Sequence, residues 1–334
     1  MREGSPGISS AVSYGRKIVA RSFHRVLVTG GAGFIGSNYV RYALKVHPEW
    51  QITVLDKLTY AGNRANLAGL PIRFIEGDIA DPEAVREACR GVEAILNFAA
   101  ESHVDRSLQD PRPFIRSNVE GTLILLEEAR RLGIRFLQVS TDEVYGDLSG
   151  IQGHSKEEDP LRPRSPYAAS KAAAEHLVHS YFVSYGLDAV LTRGSNTYGP
   201  YQYPEKIIPL FILRALADEP LPLYGDGSAV RDYMHVEDHA AGIDLVLHQG
   251  ASGQAYNLGA REQISGREVA ERILDLLGKP HSLIRSVPDR PGHDYRYSVD
   301  PSRAEALGWQ RRWSFEEGLA ATVRWYQEHP RWWD

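Results

Sequence analysis

Cysteine is almost absent from this chain of 334 residues, in which Cys89 is the single example. One cysteine excludes an intrachain disulfide and a zinc site built from several thiolates. Cys89 lies in a segment, 84–90, whose apolar spacing predicts a helix. We therefore expect a packed thiol rather than a reactive one.

Long apolar runs are missing as well. No window reaches the roughly 20 residues that a membrane-spanning helix needs. Residues 1–24 contain glycine, serine and scattered arginine, without the apolar core and cleavage site of a signal peptide. We interpret them as a disordered leader or as an over-extended start of the reading frame, and the cytoplasm is the default location.

Neither sign of charge dominates: 38 Lys and Arg stand against 43 Asp and Glu, for a net charge of −5. This balance offers no electrostatic reason to expect nucleic acid as a partner. The short basic clusters at 162–164 and 311–312 are more simply explained as solvated surface charge. The length and the 43% apolar content allow one large or two modest domains.

The first positive signal is a glycine-rich turn between a predicted strand, Arg25–Thr29, and a predicted helix that runs to Lys45. Gly30 allows the tight turn, Gly33 lets a pyrophosphate approach the backbone, and Gly36 permits close packing of helix on strand. The helix N-terminus adds amide donors and a positive dipole. This context predicts a dinucleotide site.

A second predicted strand, 52–56, ends in Asp56, twenty residues after Gly36. A carboxylate at this place accepts from the adenosine ribose hydroxyls and repels a 2′-phosphate, so NAD is favoured over NADP. The alternative for Asp56 is a turn or helix-capping acid. Lys57 weakens the preference for NAD, because a base here can sometimes meet a phosphate.

Strands and helices alternate through the first half of the chain. Further strands are predicted at 72–75, 94–98 and 136–139, with helices near 82–90 and 112–132. The alternation predicts an α/β fold, a doubly wound parallel sheet of the Rossmann type with a smaller C-terminal α/β substrate-binding lobe. We expect residues 25–195 to form the NAD-binding domain, and 196–334 to form mainly the lobe, with some chain returning to the sheet.

Two sets of reactive side chains follow in this pattern. Tyr167 and Lys171 stand one helical turn apart, so both face the same side, where the ammonium can lower the pKa of the phenol. A phenolate is suited to taking a hydroxyl proton while hydride leaves the same carbon. Thr141, Asp142 and Glu143 end a buried strand, and adjacent carboxyls add acid–base elimination. In isolation the two acids would be read as surface acids, but their position favours catalysis.

His103 raises the question of a metal or a proton relay. No second histidine or carboxylate stands near it at the ligand spacing of a helix. A structural or substrate-lining role is therefore favoured, and no metal is predicted.

The residues described so far resemble the extended short-chain dehydrogenase/reductases, specifically the dTDP-glucose 4,6-dehydratases among the nucleotide-sugar epimerases and dehydratases. The resemblance runs from about Arg25 to the C-terminus. The glycine motif and the Tyr–Lys pair mark only the superfamily, whereas the acids at 142–143 and the strings at 60–63 and 204–206 are more specific. The matching strings are 29–36, 56–63, 99–107, 140–146, 198–206 and 290–294.

The resemblance implies conversion of dTDP-glucose to dTDP-4-keto-6-deoxy-glucose and water, with hydride leaving carbon 4 for NAD and returning at carbon 6. Tyr167 would take the proton of the 4-hydroxyl, with Lys171 supporting the phenolate and Thr141 bonding the oxygen on carbon 4. Glu143 would remove the proton of carbon 5 and later return it. Asp142, kept protonated, would protonate the departing 6-hydroxyl.

The resemblance also implies which residues surround the two ligands. Those expected at the cofactor are Gly30, Gly33, Phe34, Ile35, Gly36, Asp56, Lys57, Leu58, Thr59, Asp78, Ile79, Phe98, Ala99, Ala100, Ser117, Tyr167, Lys171 and Thr197. Those expected at the nucleotide sugar are Ser102, Asn196, Lys206, Ile207, Pro222, Leu223, Tyr224, Arg231, Arg290 and His293. Arginines suit a diphosphate because guanidinium offers paired donors and permanent charge.

Two departures from the family pattern bear on the ligands. Thr197 stands where the family usually has an asparagine that meets the cofactor. Gly266 stands near the place of an asparagine that touches the substrate. Both leave the nucleotide preference open, while the redox and elimination residues are intact.

Other functions remain as alternatives. A nucleotide-sugar 4-epimerase would use Tyr167, Lys171 and NAD, but has no need of an acid and a base at 142–143. A 4,6-dehydratase for UDP- or GDP-linked sugars would differ only in the nucleotide pocket. A non-catalytic NAD-sensing regulator would be expected to have lost Tyr167 or Lys171.

A homodimer with a four-helix interface is expected, as in the family. The stretches 112–132 and 167–186 carry more apolar residues than one sheet face needs. These are Phe114, Ile115, Leu123, Leu126, Leu177, Val178, Tyr181 and Phe182. The alternative is that the rest of the chain covers them. No membrane or nucleic-acid partner is expected.

Overall fold

Strands and helices alternate in the computed structural model, which describes residues 21–289 and 294–332. The strands are β1 (Arg25–Thr29), β2 (Gln51–Asp56), β3 (Ile72–Glu76), β4 (Ala94–Asn97), β5 (Arg135–Thr141), β6 (Ala189–Gly194), β7 (Asn196–Tyr198), β8 (Leu221–Tyr224), β9 (Val230–His235), β10 (Ala255–Leu258), β11 (Gln263–Ser265) and β12 (Ile284–Val287). The helices are α1 (Phe34–Val46), α2 (Pro82–Ala88), α3 (Val104–Gln109), α4 (Arg112–Phe114), α5 (Thr122–Leu132), α6 (Pro166–Tyr185), α7 (Ile207–Leu216), α8 (Val236–Gln249), α9 (Gly266–Leu277), α10 (Ser302–Ala306) and α11 (Phe315–Glu328). Shorter helical turns occupy Arg64–Leu67, Ile115–Gly121, Asp142–Tyr145 and His281–Leu283. Among the helices described, none combines the length and the hydropathy that crossing a membrane requires.

Seven parallel strands form the main sheet in the order β10-β6-β5-β4-β1-β2-β3. The direction of winding reverses between β1 and β4, which creates the crevice where such sheets bind ligands. Two smaller sheets, β11-β9-β7 and β12-β8, belong to the C-terminal half. This architecture confirms the predicted doubly wound Rossmann fold with a smaller C-terminal lobe.

Both faces of the main sheet are covered, which explains why its strands are almost continuously apolar. Val26, Val28 and Val54 lie in the core on the side of α1 and α8. Leu27 and Phe136 lie in the core on the side of α2, α5 and α6. Cys89 is buried in this second core, and burial raises the pKa of its thiol to about 12, which confirms the expected packed thiol.

Helix α6 begins and ends at residues that its sequence encodes. The side chain of Ser165 accepts from the backbone N–H of Ala168, Pro166 occupies the first turn, and Gly186 follows the helix with a φ of 67°. These signals set Tyr167 and Lys171 on its first two turns.

A buried ion pair ties the middle of α6 to the sheet. Arg193 on β6 donates to a carboxylate oxygen of Glu175 at 2.7 Å, and both side chains are almost wholly buried. Arg193 also donates to the hydroxyl of Tyr145, which follows β5. The pair therefore holds α6 against the two strands that carry the site.

The segment predicted as one helix at 112–132 is interrupted by a π-helical turn over Ile115–Gly121. Asn118 in this turn donates to the backbone carbonyl of Glu101 at 3.0 Å and accepts from the Glu101 N–H at 2.9 Å. Its amide also donates to Ser170 on α6. The turn thus joins the loop after β4 to the helix that carries Tyr167.

Candidate active site

A cavity of about 330 Å³ opens at the carboxyl ends of the parallel strands, where the predicted site residues converge. All five predicted catalytic residues line it. So do all the predicted cofactor residues except Leu58, and four predicted substrate residues. The predicted substrate residues in the lining are Ser102, Asn196, Lys206 and Ile207.

The glycine turn is shaped to admit a phosphate group. Gly30 has a φ of 66°, and a Cβ atom there would lie 2.5 Å from the backbone nitrogen of Ala99. A Cβ on Gly36 would collide with the carbonyl oxygen of Gly30. Helix α1 begins after Gly33 without a side-chain cap and without an acidic residue in its first turn. Its amide donors and positive dipole therefore fit an anion such as a pyrophosphate.

Asp56 lies at the end of β2 and also holds the local backbone. Its carboxylate accepts from the N–H groups of Ala32 and Leu58, each at 2.9 Å. Burial raises the pKa of Asp56, and these two hydrogen bonds partly oppose the rise. Each carboxylate oxygen has a second lone pair, so the group can still accept from ribose hydroxyls.

The side chain of Lys57 contacts protein groups that already satisfy its charge. Its ammonium donates to the hydroxyl of Ser117 at 2.8 Å and lies 3.3 Å from a carboxylate oxygen of Glu101. The positive charge that complicated the choice between NAD and NADP is therefore already paired with a carboxylate.

Asp142 is buried at the end of β5 beside a second acid. Burial raises its pKa well above the ordinary value, and the charges of Glu143 and Asp232 add to the rise. Its Oδ1 accepts from the hydroxyl of Thr141 at 3.2 Å, while its Oδ2 is buried without a hydrogen-bond partner among the described residues. Burial and the neighbouring acids thus favour the protonated form of Asp142, which is the form that a general acid needs.

Tyr167 and Lys171 face the cavity together, but the expected electrostatic relation between them is corrected by the structure. Burial raises the pKa of Tyr167, and the charge of Glu143 raises it further. The ammonium of Lys171 donates to the backbone carbonyl of Val139 at 2.7 Å. Burial lowers the pKa of this lysine to about 8. Among the described groups, Thr141 favours the phenolate through a hydrogen bond to Tyr167.

Thr197, which departs from the family pattern, belongs to a small buried network. Its hydroxyl lies 2.8 Å from Nδ1 of His239 and donates to the carbonyl of Ser195 at 3.1 Å. His239 lines the cavity, and its Nε2 is buried without a hydrogen-bond partner in the described part of the chain. Burial lowers the pKa of His239 to about 3, so the ring is neutral. The sequence does not indicate a role for His239, because only the packing of α8 brings its side chain to the cavity.

Four of the six remaining predicted substrate residues lie on β8 and β9 and are not part of the cavity lining. Leu223 is buried, and both Leu223 and Ile207 lie next to Gly266. A Cβ atom on Gly266 would lie 3.3 Å from the side chain of Leu223 and 3.5 Å from that of Ile207. Pro222 and Tyr224 flank Leu223 on β8, and the Tyr224 side chain is exposed. Arg290 and His293 lie outside the described residues.

Arg231 is held by backbone carbonyls. Its guanidinium donates to the carbonyls of Val230 and Asp294, at 2.9 and 2.7 Å, and lies 4.7 Å from the ring centre of Tyr297. Its charge also lowers the pKa of Asp142, so it stands near the elimination acids. Its predicted role at a diphosphate stays a prediction.

Glu205 is a cavity residue that the sequence reasoning left without a role, although the string 204–206 marked the resemblance. It accepts from the hydroxyl of Tyr60 at 3.1 Å, and the guanidinium of Arg106 lies over the Tyr60 ring at 3.6 Å. Burial raises the pKa of Glu205. His103 caps α3 and lies 3.8 Å from Glu205, which agrees with a structural or lining role.

Tyr297 is a second residue that no sequence signal singled out. It is buried and donates to the carboxylate of Asp294. Burial raises the pKa of Tyr297, and the charge of Glu143 raises it further. A second phenol, besides Tyr167, therefore stands within electrostatic reach of Glu143.

Comparison with known proteins gives matches along nearly the whole chain. The sequence model of the family described as GDP-mannose 4,6 dehydratase matches residues 27–322. The low-salt glycan biosynthesis protein Agl12 of Haloferax volcanii is 51% identical over 306 residues, covering 90% of this chain and 98% of that protein. The dTDP-glucose 4,6-dehydratase of Streptomyces niveus is 47% identical over 321 residues, covering 93% and 95%.

A solved structure shows the same fold. The crystal structure of DesIV, a dTDP-glucose 4,6-dehydratase from Streptomyces venezuelae with NAD and TYD bound, superposes with a TM-score of 0.90 at 49% identity. The match covers 93% of this chain and 99% of that one.

Proposed function

The chain belongs to the NAD-dependent nucleotide-sugar 4,6-dehydratases, hydro-lyases of the extended short-chain dehydrogenase/reductase family, and within this family we propose that its substrate is dTDP-glucose. The placement of Asp142 and Glu143 in one cavity with Tyr167 and Lys171 supports 4,6-dehydration, and the choice of a dTDP-linked sugar rests on the similar proteins. Dehydratases and dTDP-sugar enzymes also recur among its relatives, at 47–49% identity.

The cofactor would lie along the glycine turn, with its pyrophosphate at the start of α1 and its adenosine ribose at Asp56. NAD supplies the acceptor for the hydride of carbon 4, the donor of hydride to carbon 6 and, in its oxidised form, a positive charge. Lys171 would hold the hydroxyls of the nicotinamide ribose. The deep burial of Asp56 and the pairing of Lys57 with Glu101 favour NAD over NADP.

In the first half of the reaction, Tyr167 takes the proton of the 4-hydroxyl. Burial and Glu143 oppose the phenolate, so the group needs support from positive charge and from hydrogen-bond donors. The hydroxyl of Thr141 has one proton, so it can supply one such bond at a time, to the phenolate or to the oxygen on carbon 4 as the ketone forms.

In the second half, the new ketone acidifies the hydrogen on carbon 5, and Glu143 removes it. Burial and two acidic neighbours favour the protonated form of Asp142, and this form can donate to the departing 6-hydroxyl. Two carboxyls with different environments thus divide the roles of acid and base. Glu143 then returns its proton to carbon 5 as carbon 6 receives hydride.

The experiment incubates the purified protein with dTDP-glucose and follows the alkali-induced absorbance of a 4-keto-6-deoxy sugar. We expect this product, without net consumption of NAD. Parallel reactions with UDP-glucose and GDP-mannose test the nucleotide, because another 4,6-dehydratase would form its keto sugar there instead. Formation of a 4-epimer with no keto product would support the 4-epimerase alternative.

We also propose a homodimer through α4, α5 and α6. Of the apolar residues that suggested it, Phe114, Leu126, Val178 and Tyr181 are buried within the subunit. Ile115 and Leu123 remain exposed, and Val183 and Tyr185 on α6 are exposed as well. Light scattering at micromolar concentration tests the proposal, and the mass of a monomer would contradict it.

A further inference from the structure

Two histidines and an aspartate meet at the edge of the main sheet opposite the cavity. His47 follows the last residue of α1, while Asp244 and His248 stand one turn apart on α8. Helix α1 begins at the glycine turn, and its thirteen residues carry the chain about 20 Å along the helix axis before His47. This cluster, His47, Asp244 and His248, is therefore separate from the proposed active site.

The distances within the cluster match those between the ligands of one metal ion. Nε2 of His47 lies 3.1 Å from both carboxylate oxygens of Asp244. One ligand atom from each residue can be chosen so that all lie within 4.8 Å of one another. Ligands held at about 2.0–2.1 Å in a tetrahedron are about 3.4 Å apart, so binding needs only small side-chain adjustments.

Neighbouring groups already orient the three side chains. The hydroxyl of Tyr39 donates to Oδ1 of Asp244 at 3.2 Å. Nδ1 of His248 lies 2.8 Å from the backbone carbonyl oxygen of Asp244, so it can donate there and leave the lone pair of Nε2 for a ligand. The ring of His47 stacks on Trp50 at 4.2 Å. Such second contacts are typical of metal-binding imidazoles.

The charge of the cluster also suits a cation. Asp244 is buried, and no lysine or arginine in the described part of the chain lies within ion-pair distance of it. Buried carboxylates are ordinarily paired with a cation or bound to a metal. The two imidazoles are partly exposed, which leaves room for a water molecule as a further ligand.

We propose that His47, Asp244 and His248 bind one divalent transition-metal ion, with Zn²⁺ as the best match to two imidazoles and a carboxylate. The ion joins the C-terminal end of α1 to the C-terminal half of α8, and so stabilises one side of the Rossmann core. The sequence predicted no metal, because nearly 200 residues separate His47 from the other two ligands. The proposal does not depend on the reaction of the active site.

The test uses untagged full-length protein that has been dialysed against a chelator and then against metal-free buffer. Zn²⁺ is titrated by calorimetry, and Co²⁺ by visible absorbance, which reports the ligand geometry. The variants are His47→Gln and His248→Gln. The matched control is His281→Gln, which removes an exposed histidine that lies 2.8 Å from Asp275 without a third ligand.

We expect one equivalent of Zn²⁺ to bind the parent protein and the control, and to raise the melting temperature of both. Each of the two cluster variants should bind at least about tenfold more weakly and lose that rise. Circular dichroism shows whether the variants are folded at the temperature of the titration. Absence of a stoichiometric site in the parent, or equal binding by all four proteins, would overturn the proposal and leave the cluster as a hydrogen-bonded network.

Discussion

The ammonium of Lys171 donates a 2.7 Å hydrogen bond to the backbone carbonyl of Val139, across the gap between α6 and β5. The lysine is buried, and burial lowers its pKa to about 8 while the charge of Glu175 opposes the change. Helix α6 is therefore anchored to the strand that ends in Thr141. The redox pair and the elimination acids are positioned by the same contact.

The redox and elimination steps should separate by mutation. Glu143→Gln keeps Tyr167, Lys171 and the cofactor site, so hydride should still leave carbon 4 while proton removal from carbon 5 slows by about two to four orders of magnitude. Mixing this variant with dTDP-glucose should produce the near-ultraviolet absorbance of reduced nicotinamide, with little product.

Tyr167→Phe is the matched control for that experiment. It lacks the base for the first step, so neither reduced nicotinamide nor product should accumulate. Normal turnover by Glu143→Gln would mean that Glu143 is not the base that removes the proton of carbon 5.

Asp142 should leave a signature in the pH dependence of stability. Its folded-state pKa is raised, so the folded protein binds a proton that the unfolded chain releases above about pH 4. Its contribution to stability is therefore complete below about pH 4 and is lost as the pH rises toward the folded-state pKa. Asp142→Asn removes this titration, so the melting temperature of the variant relative to the parent should be higher at pH 8 than at pH 5. A difference that is independent of pH would show that Asp142 is not held protonated.

Substituting alanine for Gly33 or for Gly36 in the cofactor turn should impair the protein for different reasons. A Cβ on Gly36 would collide with the carbonyl of Gly30, so Gly36→Ala should lower the melting temperature as well as NAD binding. A Cβ on Gly33 meets that same oxygen at 3.3 Å, so Gly33→Ala should fold nearly normally and lose mainly NAD affinity. Thermal unfolding and NAD titration of both variants distinguish the two effects. Equal loss of stability would refute the division of roles.

Asp56→Ala should weaken NAD and relax the exclusion of NADP. Loss of a charged acceptor of hydrogen bonds costs about 1.5–3 kcal/mol, or roughly one to two orders of magnitude in affinity. The ratio of the two dissociation constants is the decisive measurement. The variant also removes the acceptor for Ala32 and Leu58, which changes stability but not that ratio. A parent protein that prefers NADP would contradict our interpretation of the second strand.

The buried pair of Arg193 and Glu175 should be costly to break. Glu175→Gln leaves the guanidinium with an uncompensated buried charge, for a loss of about 3–5 kcal/mol in the free energy of unfolding. The control is Glu87→Gln, which breaks an exposed pair with Arg73 and should change stability by less than about 1 kcal/mol. Chemical denaturation of both variants compares them, and similar losses would contradict the expectation.

The parallel sheet was predictable because each strand is apolar and ends in a turn residue. The ends of the first five strands differ from their predicted bounds by at most two residues. The π-helical turn at Ile115–Gly121 was not predictable, because it arises from tertiary bonds of Asn118 to Glu101 and Ser170. Helix propensity depends on the local sequence and does not include contacts with distant residues.

The site was predictable in proportion to how local its signals are. The glycine turn and the catalytic residues are short-range patterns, and they all line the cavity. His239 and Tyr297 enter the surroundings of the site from distant segments, and only the packed chain reveals them. The pKa of Tyr167 differed from expectation for the same reason, since it depends on burial and on Glu143 rather than on spacing to Lys171.

The extra residue in the turn at Ile115–Gly121 sets the rotational phase of the helix that contains it. A π-helical turn holds about one residue more than an α-helical turn, and each residue of a helix advances the side-chain direction by about 100°. Downstream, Leu125, Leu126 and Ala129 pack on the sheet, while Ser117 within the turn faces the cavity. Without the extra residue, either the apolar side chains would point away from the sheet or Ser117 would point away from the cavity. A single inserted residue thus lets one helix serve the core along one half and the cofactor cavity along the other.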